Sequence, residues 1–179
     1  MSIMYFQVQN DSAAKTEDPA RTEMWLYRMH LYPAMQIAVI GAADCSETEY
    51  ETALQVGRLI AGHHATLVCG GMGGVMEAAC RGAREAGGRT VGIVPDTGNG
   101  NPYVDVMIRT GLGHARNVLV VQSADAVIAI AGSHGTLSEI AIALKLQRPV
   151  FGIGTWDIWG VTSCTTPEEA VEQAVLAVP

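Results

Sequence analysis

Asp125-Ala126-Val127-Ile128-Ala129-Ile130-Ala131-Gly132-Ser133-His134-Gly135-Thr136-Leu137-Ser138-Glu139 decides how the rest of this chain is read. It reads as a buried strand, a tight turn and the opening of a helix. Val127 to Ile130 form a short apolar run that ends at a turn signal, the pattern of a central parallel strand. Gly132 and Gly135 let the backbone bend sharply and come close to a bound group. Ile140, Ala141 and Leu144 continue at helical spacing. A helix that opens there directs unpaired N–H groups and a partial positive charge at the turn, which suits a phosphate. Thr136 and Glu139 also spell Thr-x-x-Glu, a capping box that needs no ligand. On this stretch alone the two readings stay open.

A second stretch repeats the pattern. Thr66-Leu67-Val68-Cys69 reads as a strand, Gly70-Gly71-Met72-Gly73-Gly74 as a turn, and a helix follows from Val75. Two such turns in one small α/β chain point to one crevice at the ends of parallel strands. Neither turn carries the Gly-Lys-Ser/Thr of a Walker loop, and neither is a good G-x-G-x-x-G fingerprint.

The 179 residues suffice for one domain with a sizeable core, and 49% of them are hydrophobic. The longest apolar runs are too short to cross a bilayer. No charged-then-apolar leader opens the chain. The formal net charge of −7 argues against bulk attraction to nucleic acid. Cys45, Cys69, Cys80 and Cys164 show no metal-ligand spacing, and His63-His64 has no third ligand nearby in sequence. The expectation is a protein of a cytoplasm-like compartment with reduced thiols, no metal site, no membrane and no nucleic acid.

Residues 1–34 are polar and without a sustained period, so an N-terminal extension is expected there, with the domain proper spanning 35–179. From Gln36 strands and helices alternate. Strands are expected near 36–41, 65–69, 90–94, 104–108, 126–130 and 150–153. Helices are expected from the Ser46-Glu47-Thr48-Glu49 capping box to about 62, and over 74–87, 113–122, 135–147 and 167–177. That alternation implies an α/β fold, a doubly wound, mostly parallel sheet with helices on both faces.

Gly70-Gly71-Met72-Gly73-Gly74-Val75-Met76 resembles the first motif of the LOG ("lonely guy") superfamily, long misnamed lysine decarboxylases. Gly132-x-x-Gly135-Thr136-x-x-Glu139 resembles its second. Gly92-Ile93-Val94-Pro95, Asn101-Pro102-Tyr103-Val104-Asp105 and Gly111-Leu112-Gly113-x-Ala115-Arg116-Asn117 look closer to the branch that holds the molybdenum-cofactor carrier proteins. The resemblance spans roughly residues 36–155. It implies a Rossmann-like fold, a homodimer or larger homo-oligomer, and a phosphate-containing small-molecule ligand. That ligand would be a nucleotide or the molybdenum cofactor, and no cofactor would be required.

In hydrolases of the superfamily an arginine and a glutamate, here Arg116 and Glu139, cleave the N-glycosidic bond of nucleoside 5′-monophosphates. The carrier branch implies binding without chemistry. Ala131, Ser133, Asn117 and Glu77 depart from the hydrolase pattern. The ligand-binding set is expected to be Gly70, Gly71, Gly73, Gly74, Gly132, Ser133, Gly135 and Thr136.

Other residues have plainer readings. Arg116 also fits a surface salt bridge. Ser46 and Asp44 are read as cap residues, His134 as an exposed loop histidine, and Met72 and Met76 as fillers of core gaps. Arg81, Arg84 and Arg89 are read as a solvated helix face, with Arg81 the best placed of them to reach a site. Trp156 and Trp159 are read as edge or interface residues.

Overall fold

A computed structural model of the chain describes residues 35–178. The expected extension, 1–34, lies outside the described residues. Seven strands form one sheet: β1 Gln36–Gly41, β2 Thr66–Cys69, β3 Arg89–Val94, β4 Val106–Arg109, β5 Ala126–Ile130, β6 Val150–Ile153 and β7 Val161–Cys164. Their order is β4-β3-β2-β1-β5-β6-β7, and every neighbouring pair is parallel. The α/β, doubly wound reading of the sequence is what the chain adopts, and the sheet is parallel throughout.

Among the described residues, four helices connect the strands, α1 Glu47–Gly62, α2 Val75–Glu85, α3 Asn117–Gln122 and α4 His134–Lys145, and α5 Pro167–Leu176 follows the last strand. Local chemistry sets their starts. The Ser46 hydroxyl accepts from Glu49 N–H, and the Glu49 carboxylate accepts from Ser46 N–H at 2.7 Å, so α1 opens with a complete capping box. Thr166 caps α5 through Glu169 N–H, with Pro167 in the first turn. Each such cap contributes about 1 kcal/mol.

The strands feed two cores, one on each face. Ile37, Val39, Leu67, Ile128 and Ile130 meet α1, α2 and α5. Ala38, Ile40, Val68, Val127 and Ala129 alternate with them and meet α3 and α4. This is the period of 2 of a strand buried on both sides, and it explains why β1 and β5 read as unbroken apolar runs. Burying each Val or Ile side chain fully contributes about 1.5–3 kcal/mol.

Three elements depart from the sequence expectation. The helix expected over 113–122 is a 3-10 turn, Gly113–Arg116, followed by the short α3. The strand expected over 104–108 is Val106–Arg109, displaced because Asp105 instead bonds Thr90 of β3. Strand β7 has no counterpart in the sequence reading. It is a sheet edge of Val161, Thr162, Ser163 and Cys164 in which Cys164 alone is buried, so no apolar period marks it. Among the described residues no helix is long and apolar enough to cross a membrane.

Candidate functional site

The strand order reverses between β1 and β5, so the loops leaving these two strands diverge and open a cleft at their carboxyl ends. The cleft holds about 330 Å3, within the range of small-ligand sites. Gly41 at the end of β1 lines it with Ala42 and Ala43, Met72 and Met76 line it after β2, and Pro95 after β3. Gly113, His114, Arg116 and Asn117 enter from the 3-10 turn and the start of α3. Ser133, Gly135, Thr136 and Glu139 complete it from α4.

The turn before α4 is built by backbone conformation. Ala131 has φ +45° and Gly132 φ +106°, and the Thr155 hydroxyl of the β6–β7 loop donates to Ala131 C=O at 2.6 Å. A β-carbon on Gly132 would collide with the Thr136 side chain. Helix α4 therefore starts at His134, with Ser133 as the N-cap residue and no side-chain cap bond. The capping box read from Thr136 and Glu139 does not form, because both residues already lie inside the helix. The first-turn N–H groups have no intrahelical acceptor and lie at the positive end of the helix dipole.

Arg116 and Glu139 are both buried, and Nη1 stands 3.5 Å from Oε1. The surface salt bridge considered for Arg116 is thus an interior pair. Burial pushes the Glu139 carboxyl up to about 7 against the opposing pull of Arg116. Among the described residues, Arg116 Nε and Thr136 Oγ1 are buried with no hydrogen-bond partner. Buried donors of this kind are costly unless something accepts from them. Asn117 Nδ2 donates to Ser138 Oγ at 3.2 Å, and Ser138 donates to Gly135 C=O at 2.7 Å. This chain ties α3 to the first turn of α4.

Gly70, Gly71, Gly73, Gly74 and Gly132 are not among the cleft's lining residues. Gly70, Gly71 and Gly74 sit where neighbours leave no room for a side chain, whereas a β-carbon on Gly73 would make ordinary contacts. Gly70 lies on the Arg116 guanidinium, Gly71 on Val94, and Gly73 and Gly74 on the loop after β1. Met72, read from sequence as a core filler, is 38% exposed and stands in the cleft with the buried Met76. No periodicity could mark it, since its exposure follows from the turn around it. Arg81 is taken up by Glu85 at 2.8 Å on an exposed helix face and does not approach the cleft. His134 is exposed at the cleft rim, its ring 6.2 Å from the exposed Trp156. Among the described residues no group of three His, Cys, Asp or Glu side chains could hold a metal ion.

Comparison with known proteins places this geometry in a context. The model of the SLOG cluster4 family matches residues 34–177. A protein of Archaeoglobus fulgidus is 46% identical over 149 residues, covering 79% of this chain and 95% of the relative. The molybdenum cofactor binding protein of Rippkaea orientalis superposes with a TM-score of 0.77 at 38% identity, over 82% of this chain and 99% of that one. The molybdenum cofactor carrier protein of Chlamydomonas reinhardtii superposes with a TM-score of 0.76 at 33% identity, over 81% and 98%.

Proposed function

The chain belongs to the SLOG cluster4 family, and from that membership we propose that it binds and carries an anionic, phosphate-containing small molecule in the cleft at the head of α4. The observation that carries this reading is the pair of buried donors Arg116 Nε and Thr136 Oγ1, unpartnered among the described residues, beside the open first-turn N–H groups. An anion that accepts from them would offset the desolvation they otherwise suffer. The relatives named for molybdenum cofactor make that anionic pterin the first ligand to test, with a nucleotide second. A cytoplasmic, homodimeric state belongs to the same proposal.

A second reading has its own observation. Arg116 and Glu139 share one wall, and a carboxyl held near 7 is both protonated and ionised around neutral pH. In a nucleoside 5′-monophosphate hydrolase the ionised Glu139 would stabilise the oxocarbenium-like ribose as the C1′–N bond breaks. The hydroxyl of water would add to C1′ as the C1′–N bond breaks, the water's other proton would pass to Glu139, and the departing base would take one proton from solvent, restored when Glu139 ionises again.

Mass spectrometry of the small molecule that co-purifies with the full chain tests the carrier reading. An intact pterin or nucleotide is the expected result, and purification with no bound species, together with no binding of either, would overturn it. Chromatography after incubation with adenosine monophosphate tests the second. Release of adenine and ribose 5-phosphate that Glu139→Gln abolishes would establish hydrolysis, and no turnover would sink it.

A further inference from the structure

The loop Gly70–Gly74 contains one side chain, Met72, and the structure fixes where it goes. Asn101, itself buried, donates from its side chain to Met72 C=O at 3.0 Å and from its backbone to Gly71 C=O at 2.8 Å. With the peptide groups on both sides of Met72 held, its side chain stays 38% exposed in the cleft. Met76 and Pro95 lie on the same lining, and neither brings a charge. The charged and donor groups, Arg116, Thr136 and Glu139, come from the α3 and α4 side. The cleft therefore has two chemistries, one that accepts an anion and one of thioether and pyrrolidine.

A core-filling methionine would be buried as Met76 is. An exposed one on a clamped loop keeps apolar surface in water until something apolar covers it. Its polarizable sulfur and unbranched chain suit the face or edge of an aromatic ring. We infer that Met72 is the ring-recognising residue of the cleft, laying its thioether on the flat heteroaromatic part of a ligand whose anionic group sits at the head of α4. This rests on the proposed anion site and narrows the ligand to a phosphate monoester of a fused heteroaromatic ring, with a purine and a pterin as its two sources.

Titration calorimetry on the full chain tests it with three probes: adenosine monophosphate, a pterin phosphate monoester, and ribose 5-phosphate, which keeps the phosphate and lacks the ring. At least one ring-bearing probe is expected to bind more tightly than ribose 5-phosphate. Met72→Ala is expected to weaken that probe by about five- to tenfold, the scale of a sulfur–aromatic contact, and to leave ribose 5-phosphate within about twofold. Met72→Leu, which keeps the apolar length, is expected to recover most of the affinity. Equal weakening of all three probes would make Met72 a part of the loop's architecture only. Unchanged affinity of the ring-bearing probe would remove it from recognition altogether. If no probe binds the unmutated chain, the anion site itself fails, an outcome distinct from the other two.

Discussion

The α-carbon of Gly70 lies against the guanidinium of Arg116: a β-carbon there would stand 2.5 Å from Nη1, 2.7 Å from Nη2 and 2.8 Å from Cζ. Gly70 is not itself a lining residue of the cleft but is the seat of its cation. Gly70→Ala is expected to push the guanidinium aside, because the clashing atoms are the end of a flexible side chain. The overpacking should cost about 1–3 kcal/mol. Ligand affinity should fall by about tenfold, as for Arg116→Ala. Calorimetry beside thermal melting separates the two effects, and full affinity in a folded Gly70→Ala variant would refute the seat.

The Glu139 carboxyl gives the fold a pH dependence whose sign is fixed. Its ordinary value is 4.5, and in the folded chain burial raises it to about 7. Between those values the folded state holds more protons than the unfolded state. The stability contributed by neutral Glu139 is fully present below about 4.5 and is lost as pH rises through about 7. The loss is on the order of 3 kcal/mol. Urea unfolding of Glu139→Gln should lack this decline and show the variant more stable than the unmutated chain at pH 8. A decline that persists in the variant would assign it to another group.

The same carboxyl should couple ligand to proton. An anion in the cleft favours the neutral form of Glu139, so binding takes up protons. Affinity for the phosphate probe is expected to fall from pH 6 to pH 8 in the unmutated chain and to stay flatter in Glu139→Gln. Calorimetry in two buffers of different ionisation enthalpy reads the proton uptake directly.

Gly135 offers a cleaner test of the anion site. A β-carbon built there meets nothing within 4 Å, so a side chain costs little packing. Gly135→Asp brings a negative charge to the first turn of α4. Melting temperature should hold within a few degrees, while phosphate-probe affinity should drop by about tenfold or more, roughly 1.4 kcal/mol. Unchanged binding in the folded variant would show that this helix start serves the fold alone.

Val106, Ile108, Leu112, Val118 and Leu119 are exposed in the single chain. So much apolar surface on a small domain calls for a cover, and a second copy is the economical one. Light scattering at micromolar concentration is expected to give twice the 18.9 kDa chain mass or a multiple of it, and a clean monomer would rule this out.

Much of the fold was legible because its signals are local. Strands β1 and β5 are apolar runs, and Ser46 with Glu49 and Thr166 with Pro167 mark helix starts within four residues of sequence. The cleft was legible only in outline. Thr136 and Glu139 spell a capping box, yet the helix begins earlier, because a positive-φ turn at Ala131 and Gly132 is held by Thr155, 24 residues away. Without the family resemblance Arg116 fits a surface salt bridge as well as a site, and its burial depends on Gly70 and Glu139 from distant segments. Met72 reads as a core residue because hydrophobicity carries no information about a loop clamped by Asn101. In each case the deciding contact is long-range, which propensity and spacing do not encode.

The tilted pair of His134 and Trp156 gives the cleft an optical consequence. His134 opens the helix whose first turn borders the cleft, and Thr155, next to Trp156, holds the turn before it. An anion drawn to that helix start would change the field around the indole and the packing of the imidazole on it. Trp156 would then be a native reporter of the proposed site. With Trp25 and Trp159 replaced by phenylalanine, its emission would follow loading and unloading in real time, without a label and without any chemistry performed on the ligand.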